Sequence, residues 1–289
     1  MKKLLVLSGK GGTGKTTVTS TFIDFGQIKA YCDCDVDAPN LHLTKNFNEP
    51  SMDSPFVGSS KCQVDSSKCM GCGICINNCK FDALLLENNK AITNEFSCEG
   101  CGVCVISCPN EAIKLVPDIA GDKYLYKNHQ VTFATAKLKM GRGNSGKLVS
   151  EVKNLLNDNI SNEELAIIDG SPGIGCPVIS SMSAVDAILI VAEPSLSGLS
   201  DMKRIISTGR FFQITPYVCI NKYDTCIEKA NEIKEYCKSN HLTFLGEIPY
   251  DSKIPEAINN AIPIASLDCE AKKSMQEIYN KLIKLMFNN

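Results

Sequence analysis

The residues best suited to chemistry in this 289-residue chain are eight cysteines, which fall in two runs. Each run has the spacing CxxCxxCxxxC, and the members are Cys69, Cys72, Cys75, Cys79, Cys98, Cys101, Cys104 and Cys108. This spacing is typical of [4Fe–4S] ligation, and two runs predict two clusters. One tight loop can aim three thiolates at the same inorganic core. Paired CxxC motifs also occur in zinc sites, so the cysteines alone leave zinc as an alternative.

A second motif, SGKGGTGKTT at residues 8–17, contains the phosphate-binding pattern GxxxxGK[ST]. Its glycines allow backbone N–H groups to turn toward anionic oxygens at a helix N-terminus. We expect Lys15 to reach the β- and γ-phosphates of ATP and the Thr16 hydroxyl to bind Mg²⁺. A glycine-rich turn with an accidental Lys-Thr pair is the alternative. The loop residues expected to contact ATP are Gly11, Gly12, Thr13, Gly14, Lys15, Thr16 and Thr17.

Alternating apolar and amphipathic segments should position these motifs. The expected buried strands are residues 2–8, 30–33, 133–136, 165–169, 187–192 and 216–221. The expected helices are residues 16–25, 146–157, 199–211, 225–238 and 270–285. Strands that alternate with helices predict a parallel sheet covered by helices on both faces.

The cysteine region interrupts this alternation, which predicts an insertion into one larger domain. A polar segment at about residues 46–60, with Pro50, Pro55 and Gly58, is expected to be a linker. KCMGCG at residues 68–73 recurs as SCEGCG at residues 97–102, which indicates an internal duplication. We therefore expect an ATPase domain at residues 1–59 and 117–289, with an inserted domain at residues 60–116.

Composition limits the possible partners. A formal net charge of −2 gives no indication of a nucleic-acid partner. The sequence contains no run of about 18 apolar residues, so we expect no membrane span. Lys2-Lys3 before an apolar run resembles the start of a signal peptide, but the run is short and leads into the phosphate loop, so we expect a strand. Sixteen cysteines then favour a reducing, cytoplasmic location and metal ligation over disulfides. The eight cysteines outside the runs, Cys176 among them, are expected to be mostly buried thiols.

The segment KGGTGKT at residues 10–16 resembles the deviant Walker A motif of a known ATPase family. That family contains the septum-positioning and partition ATPases, the nitrogenase iron protein and the Mrp-type iron–sulfur carriers. In these relatives the first lysine crosses a dimer interface to the partner's phosphates. The resemblance implies this role for Lys10, and it implies a slow ATPase that works as a homodimer or as a heterodimer with a paralogue.

Three further segments extend the resemblance. DCDVDAPNL at residues 33–41 resembles switch I, which implies that Asp33 orients the attacking water and that Asp37 or Asn40 senses the γ-phosphate. DGSPGIG at residues 169–175 resembles Walker B and switch II, which implies that Asp169 belongs to the Mg²⁺ shell. Asn221-Lys222 at a strand end resembles the adenine-contacting position, and residues 248–251 resemble the second loop on the base side. Each acid could also be a polar strand end.

The chain as a whole resembles MinD-like P-loop ATPases with an inserted ferredoxin domain. This implies an α/β, parallel-sheet, Rossmann-like three-layer fold with a small α+β insert of the bacterial ferredoxin type. In two-cluster ferredoxins the fourth cysteine of each run ligates the other cluster. One cluster would therefore be held by Cys69, Cys72, Cys75 and Cys108, and the other by Cys79, Cys98, Cys101 and Cys104.

These resemblances predict an ATPase whose nucleotide state gates electron transfer through two clusters to an unidentified redox partner. The alternatives are a cluster assembly or carrier ATPase and a redox-sensing regulatory ATPase. The chain lacks both the CxxC that Mrp-type carriers have near the C-terminus and a cysteine just before Gly141-Arg142-Gly143. An apolar stripe at Met275, Ile278, Leu282 and Met286 is expected to pack in the core rather than on a membrane.

Overall fold

A computed structural model describes residues 1–45, 47 and 49–287 and divides the chain into two compact units. The large unit comprises Met1–Asp53, Lys123–Lys137 and Ser145–Asn289. The small unit comprises Ser54–Asp122 and Leu138–Asn144. It contains both cysteine runs, and it takes more of the chain than residues 60–116.

Thirteen strands and nine α-helices form among the described residues. The strands are β1 (Lys2–Leu7), β2 (Ala30–Asp33), β3 (Met52–Val57), β4 (Lys61–Val64), β5 (Leu84–Glu87), β6 (Lys90–Thr93), β7 (Ile113–Val116), β8 (Ile119–Lys127), β9 (Thr132–Leu138), β10 (Leu165–Asp169), β11 (Ala187–Ala192), β12 (Thr215–Asn221) and β13 (Thr243–Ile248). The helices are α1 (Lys15–Gly26), α2 (Ile74–Asn78), α3 (Val103–Ile106), α4 (Ser145–Asn157), α5 (Cys176–Met182), α6 (Leu196–Phe211), α7 (Ile227–Ser239), α8 (Lys253–Asn259) and α9 (Glu270–Phe287).

The main sheet has nine strands in the order β13-β12-β11-β1-β10-β2-β9-β8-β3. Its neighbouring pairs from β13 through to β9 are all parallel. The predicted α/β fold with a mostly parallel sheet is therefore confirmed. Strand β1 lies between β10 and β11, and β10 lies beside β2. Since parallel strands end at the same edge, the loops after β1, β2 and β10 are brought together there.

Helix α9 contributes one apolar face to the core of the large unit. Met275, Ile278, Leu282 and Met286 are all buried within a cluster that also contains Leu4 of the central strand. The prediction that this stripe packs in the core is thus confirmed. None of the described helices combines the length and the hydropathy of a bilayer-spanning segment.

The linker prediction for residues 46–60 is wrong over part of its length, because Met52–Val57 forms strand β3. Strand β3 lies at the edge of the sheet, where a strand tolerates Pro55 because one side of the backbone needs no ladder partner. Within the predicted linker, Asn46 and Asn48 lie outside the described residues.

The small unit is built from two antiparallel ribbons and two short helices. Strand β4 pairs with β7, and β5 pairs with β6. Helices α2 and α3 each follow a glycine in the left-handed region, Gly73 at φ 76° and Gly102 at φ 80°. Each helix begins within a cysteine run, so the sequence duplication is also a duplication of local structure.

Candidate functional site

The phosphate loop joins the carboxyl end of β1 to the N-terminus of α1, which begins at Lys15. Gly12 and Gly14 have φ of +80° and +89°, a region in which glycine carries no steric cost. A Cβ on Gly14 would lie 2.2 Å from Nδ2 of Asn221. The loop thus needs glycine there, and it presents the first amides of a 12-residue helix to an anion.

Asp169 connects the phosphate loop to the end of β10. Its carboxylate lies 2.7 Å from Nζ of Lys15 and accepts hydrogen bonds from Oγ1 of Thr16 at 2.6 Å and Oγ1 of Thr19 at 2.8 Å. Lys15 and Asp169 are both buried. Hydroxyl and carboxylate oxygens are the ligands that Mg²⁺ prefers. The adjacent oxygens of Thr16 and Asp169 therefore fit the predicted Mg²⁺ shell.

Asp33 organises the segment that resembles switch I. It lies opposite Asp169 in the register of β2 and β10, and it is fully buried. Its carboxylate accepts the backbone N–H groups of Asp35 and Asn40 at 2.9 Å and of Leu41 at 3.0 Å. Burial, followed by repulsion from Asp169, raises the pKa of Asp33 to about 7. Through these hydrogen bonds Asp33 holds the loop of residues 34–41 in place.

Asp35 lines the nucleotide cleft and was not among the site residues predicted from the sequence. Asp35, Asp37 and Asn40 line the cleft together with the phosphate loop, whereas Asp33 does not. Burial is the largest cause that raises the pKa of Asp35. The sequence shows Asp35 as the second acid of the segment Asp33-Cys34-Asp35. However, strand pairing ends at Asp33, so the alternation of side chains along a strand does not predict the direction of Asp35.

The two switch-like segments are bonded to each other. Oγ of Ser171 donates to the carbonyl oxygen of Cys34 at 2.6 Å, and the backbone N–H of Cys34 donates to the carbonyl of Asp169 at 2.7 Å. Gly173, at φ 93°, donates its N–H to the carbonyl of Ser8 at 3.0 Å. A change in one loop therefore bears directly on the other.

The predicted base-side residues line the same cleft. Asn221 donates from Nδ2 to the carbonyl of Thr13 at 2.7 Å, and Lys222 donates from Nζ to the carbonyl of Gly12 at 3.1 Å. Ile248-Pro249-Tyr250-Asp251 forms another part of the lining. The phosphate loop, Thr16 and the predicted base-side residues thus line one cleft, and Asp169 is hydrogen-bonded to Thr16 without lining the cleft itself.

Lys10, the residue predicted to act across a dimer, is paired within its own chain. Its Nζ lies 2.5 Å from Oε2 of Glu193, and 43% of its side chain is exposed. Lys10 also lines the nucleotide cleft. No local sequence pattern connects Lys10 with Glu193, because Glu193 follows strand β11, far along the chain.

The eight cysteines of the two runs line two separate cavities in the small unit. The first cavity is lined by Cys69, Cys72, Cys75 and Cys108. The second is lined by Cys79, Cys98, Cys101 and Cys104, together with Cys62 from outside the runs. In each cavity the fourth cysteine comes from the other run, which is the arrangement that the ferredoxin resemblance implies.

Backbone amides point at the sulfur atoms of both cavities. In the first, Ala91 donates to Cys69 Sγ at 3.4 Å and Ala112 donates to Cys108 Sγ at 3.3 Å. Amide hydrogen bonds of this kind stabilise cluster thiolates, so the donor set fits a [4Fe–4S] group. Within the described part of the chain, no three His, Cys, Asp or Glu side chains converge on a point where one ion would sit.

Two cysteines outside the runs differ in their burial. Cys176 is exposed at the start of α5, so the prediction of a buried thiol is wrong for this residue. Cys62 is buried, with its Sγ 3.7 Å from Sγ of Cys98. Burial is the main reason that the pKa of Cys62 rises to about 12. Cys62 lies in no CxxC spacing, and only its neighbours in space reveal its position.

The fold and the cleft define a P-loop nucleotide-binding protein of the mostly parallel α/β class. Residues 4–264 match the CobQ/CobB/MinD/ParA nucleotide binding domain, and the chain belongs to this family.

Curated relatives and solved structures resemble the chain over nearly its whole length. An uncharacterized protein of Methanocaldococcus jannaschii is 33% identical over 287 residues, which are 97% of this chain and 96% of the relative. An iron-sulfur cluster carrier protein of the same organism is 24% identical and covers 98% of this chain and 84% of its own. The septum site-determining protein MinD of Pyrococcus horikoshii, solved with Mg-ADP, has a TM-score of 0.59 at 17% identity and covers 99% and 98% of the two chains. At that identity the likeness to MinD supports the fold alone.

Proposed function

We propose that this chain is an ATP-hydrolysing iron–sulfur protein in which nucleotide state gates electron transfer through two [4Fe–4S] clusters. The observation that carries the proposal is the sorting of eight cysteines into two cavities with their fourth members exchanged. The proposal is also supported by one cleft that the phosphate loop, Asn221 and residues 248–251 line together. The clusters would accept and release single electrons, and the partner would be a redox protein in the cytoplasm.

In the nucleotide cleft, Lys15 and the loop amides would neutralise phosphate charge, while Thr16 and Asp169 would hold Mg²⁺. Asp35 lines the cleft, and its carboxylate would orient the attacking water. Asp33 would act through the loop that it braces. Lys10 would leave Glu193 and stabilise charge on the phosphates of a partner subunit, which is why we propose a slow, dimer-dependent ATPase.

In the small unit, the domain boundaries at about residues 60 and 116 remain our proposal for a ferredoxin-like insert. The ligand thiolates would be Cys69, Cys72, Cys75 and Cys108 in one cavity, and Cys79, Cys98, Cys101 and Cys104 in the other. The amide donors described above would stabilise their negative charge. The chain enters this unit soon after the segment 33–41 and leaves it before Asp169, so both switch-like segments have a covalent path to it.

Anaerobic purification followed by iron and sulfide analysis tests the composition, with about eight iron atoms per chain expected. EPR-monitored reduction without nucleotide, with ADP and with ATP tests the gating. We expect a nucleotide-dependent reduction rate or midpoint potential, and Lys15→Ala should abolish this dependence while the iron content remains. Identical rates and potentials in all three states would refute gating.

A cluster carrier is the second candidate, and the observation that favours it is the 24% identity to an iron-sulfur cluster carrier protein. Four-cysteine cavities that are partly buried argue for retained clusters rather than cargo. Incubation of the loaded protein with an apo-acceptor, with and without ATP, distinguishes the two. ATP-dependent loss of iron to the acceptor would favour the carrier, and retention would favour gated electron transfer.

A further inference from the structure

The two cysteine cavities are related by the internal duplication, and their surroundings match closely. Lys90 donates from Nζ to the carbonyl of Cys69, and Lys61 donates in the same way to the carbonyl of Cys98. The next residue in each strand donates its backbone N–H to the first cysteine, from Ala91 to Cys69 Sγ and from Cys62 to Cys98 Sγ, both at 3.4 Å. Cys62 is therefore the counterpart of Ala91.

The fourth cysteines receive matched amides as well. Ala83 donates to Cys79 Sγ at 3.4 Å, and Ala112 donates to Cys108 Sγ at 3.3 Å. In each cavity one backbone amide thus donates to the first cysteine of a run, Cys69 or Cys98, and another donates to the fourth cysteine of the other run. By these donors alone the two cavities are equivalent.

Cys62 breaks this equivalence, because it places a thiol where the first cavity has only the methyl group of Ala91. The Cys62 side chain is 5% exposed, and its Sγ lies 3.7 Å from Sγ of Cys98. On its other side, Sγ lies 3.4 Å from Oγ1 of Thr93. The duplication places Val64 at the position that corresponds to Thr93, so the first cavity lacks this hydroxyl too.

The direction of these hydrogen bonds follows from the chemistry of a ligand thiolate. Once Cys98 binds iron its sulfur carries no proton, so Cys62 is the one of the two thiols that can donate in this contact. The hydroxyl of Thr93 is then free to donate to Cys62 Sγ. Each donor in such a chain polarises the next one, and the low dielectric of a buried site strengthens the effect.

We propose that Cys62 is a positioning residue that raises the reduction potential of the cluster held by Cys79, Cys98, Cys101 and Cys104 above that of the other cluster. The inference rests on the proposed function, since it requires both clusters. Reduction adds negative charge to the cluster and its sulfur ligands, and a hydrogen bond to a ligand sulfur stabilises the reduced form more than the oxidised form. An electron that enters the small unit then resides on the cluster beside Cys62.

A charged residue also distinguishes the two sites. Lys80 follows Cys79, whereas Pro109 follows Cys108. Lys80 is exposed, so water and salt screen its charge, and its influence on the potential should shrink as ionic strength rises. The Cys62 bond is buried and should keep its effect in high salt. This difference separates the two contributions.

The test is an anaerobic, EPR-monitored redox titration of the full chain at low and high salt, with iron analysis of every variant. Cys62→Ala reproduces the first cavity at this position and should lower the higher midpoint potential toward the lower one. Thr93→Val should lower it by a smaller shift, and Cys62→Ser, which keeps a donor, should lower it less than Cys62→Ala. Ala91→Cys should raise the potential of the other cluster. Lys80→Gln serves as the charge control.

The outcomes separate this inference from the proposed function. If the wild-type protein binds no [4Fe–4S] clusters, the proposed function itself fails. If Cys62→Ala keeps about eight iron atoms and both wild-type potentials, the inference is overturned while the proposed function stands. If Cys62→Ala loses iron, the midpoint potentials of Thr93→Val and Ala91→Cys test the inference instead. Unchanged midpoint potentials in both variants would overturn it and leave Cys62 with a packing role.

Discussion

Nζ of Lys10 lies 2.5 Å from Oε2 of Glu193 in the same chain. The family resemblance implies that Lys10 contacts the phosphates of a partner subunit. In this structure Lys10 instead forms an ion pair within its own chain, with the residue that follows β11. Because 43% of the Lys10 side chain and 26% of the Glu193 side chain are exposed, this ion pair contributes at most about 1 kcal/mol. An ion pair of this strength shifts the monomer–dimer equilibrium toward the monomer but does not prevent dimerisation.

Glu193→Gln should release Lys10 and increase ATP-dependent dimerisation by up to about fivefold, which corresponds to about 1 kcal/mol. Analytical ultracentrifugation with a non-hydrolysable ATP analogue measures the change. Lys10→Ala in the Glu193→Gln background should remove the gain, and alone it should lower kcat about 10²–10³-fold. Equal dimerisation of wild type and Glu193→Gln would exclude the restraint.

Asp169→Ala should destabilise the nucleotide-free protein by about 3–5 kcal/mol, because it leaves the buried ammonium of Lys15 without its counter-charge. Urea unfolding followed by circular dichroism measures the loss. The double variant Lys15→Met/Asp169→Ala removes both charges and should be more stable than Asp169→Ala alone. If the single variant is as stable as wild type, the pair contributes no net stability.

Asp35→Asn should slow ATP hydrolysis by about 10²–10⁴-fold while ATP affinity stays nearly unchanged, because Asp35 lines the cleft and the amide keeps the size of the side chain. Steady-state phosphate release and equilibrium nucleotide binding give the two quantities. Asp37→Asn, on the same loop and also in the cleft lining, shows whether the loss is specific to Asp35. A loss confined to Asp33→Asn, with Asp35→Asn fully active, would return the water-orienting role to Asp33.

Asp33 should make stability fall as pH rises between about 4 and 7. Its pKa is about 7 in the folded protein and about 3.9 in the unfolded chain, so folding takes up a proton in this interval. The contribution is complete below the unfolded value and is lost as pH rises through the folded value. Urea unfolding of nucleotide-free protein from pH 5.5 to 8 should show this negative slope, and Asp33→Asn should flatten it. A parallel pH profile for the two proteins would contradict the assignment.

Cys108→Ala and Cys79→Ala test the exchange of fourth ligands. Each variant should lose one cluster and retain the other, so that iron falls from about eight to about four atoms per chain. Cys108→Ala should spare the cavity of Cys98, and Cys79→Ala should spare the cavity of Cys69. Cys226→Ala, outside both cavities, is the control. The opposite pairing of losses would show that each run holds its own cluster.

The sequence by itself determined the buried strands and the motifs that act over short spans. Apolar runs such as residues 187–192 coincide with observed strands, because a strand buried on both faces needs apolar residues at every position. The phosphate loop and the CxxCxxC runs are equally local, since a few residues of backbone fix how the loop can turn. Strands β3, β8 and β13 of the main sheet were not predicted, and all three carry intermediate or exposed positions rather than an unbroken buried run. Strand β3 also contains Pro55, which is tolerated at a sheet edge.

Only the tertiary structure decided which side chains meet across long separations. It turned Asp35 rather than Asp33 toward the cleft, paired Lys10 with Glu193, exposed Cys176 and placed Cys62 beside Cys98. The physical reason is common to all four. Beyond a strand end, the direction of a side chain follows from the hydrogen bonds of its loop and from packing against distant segments, and neither leaves a periodic trace in the chain.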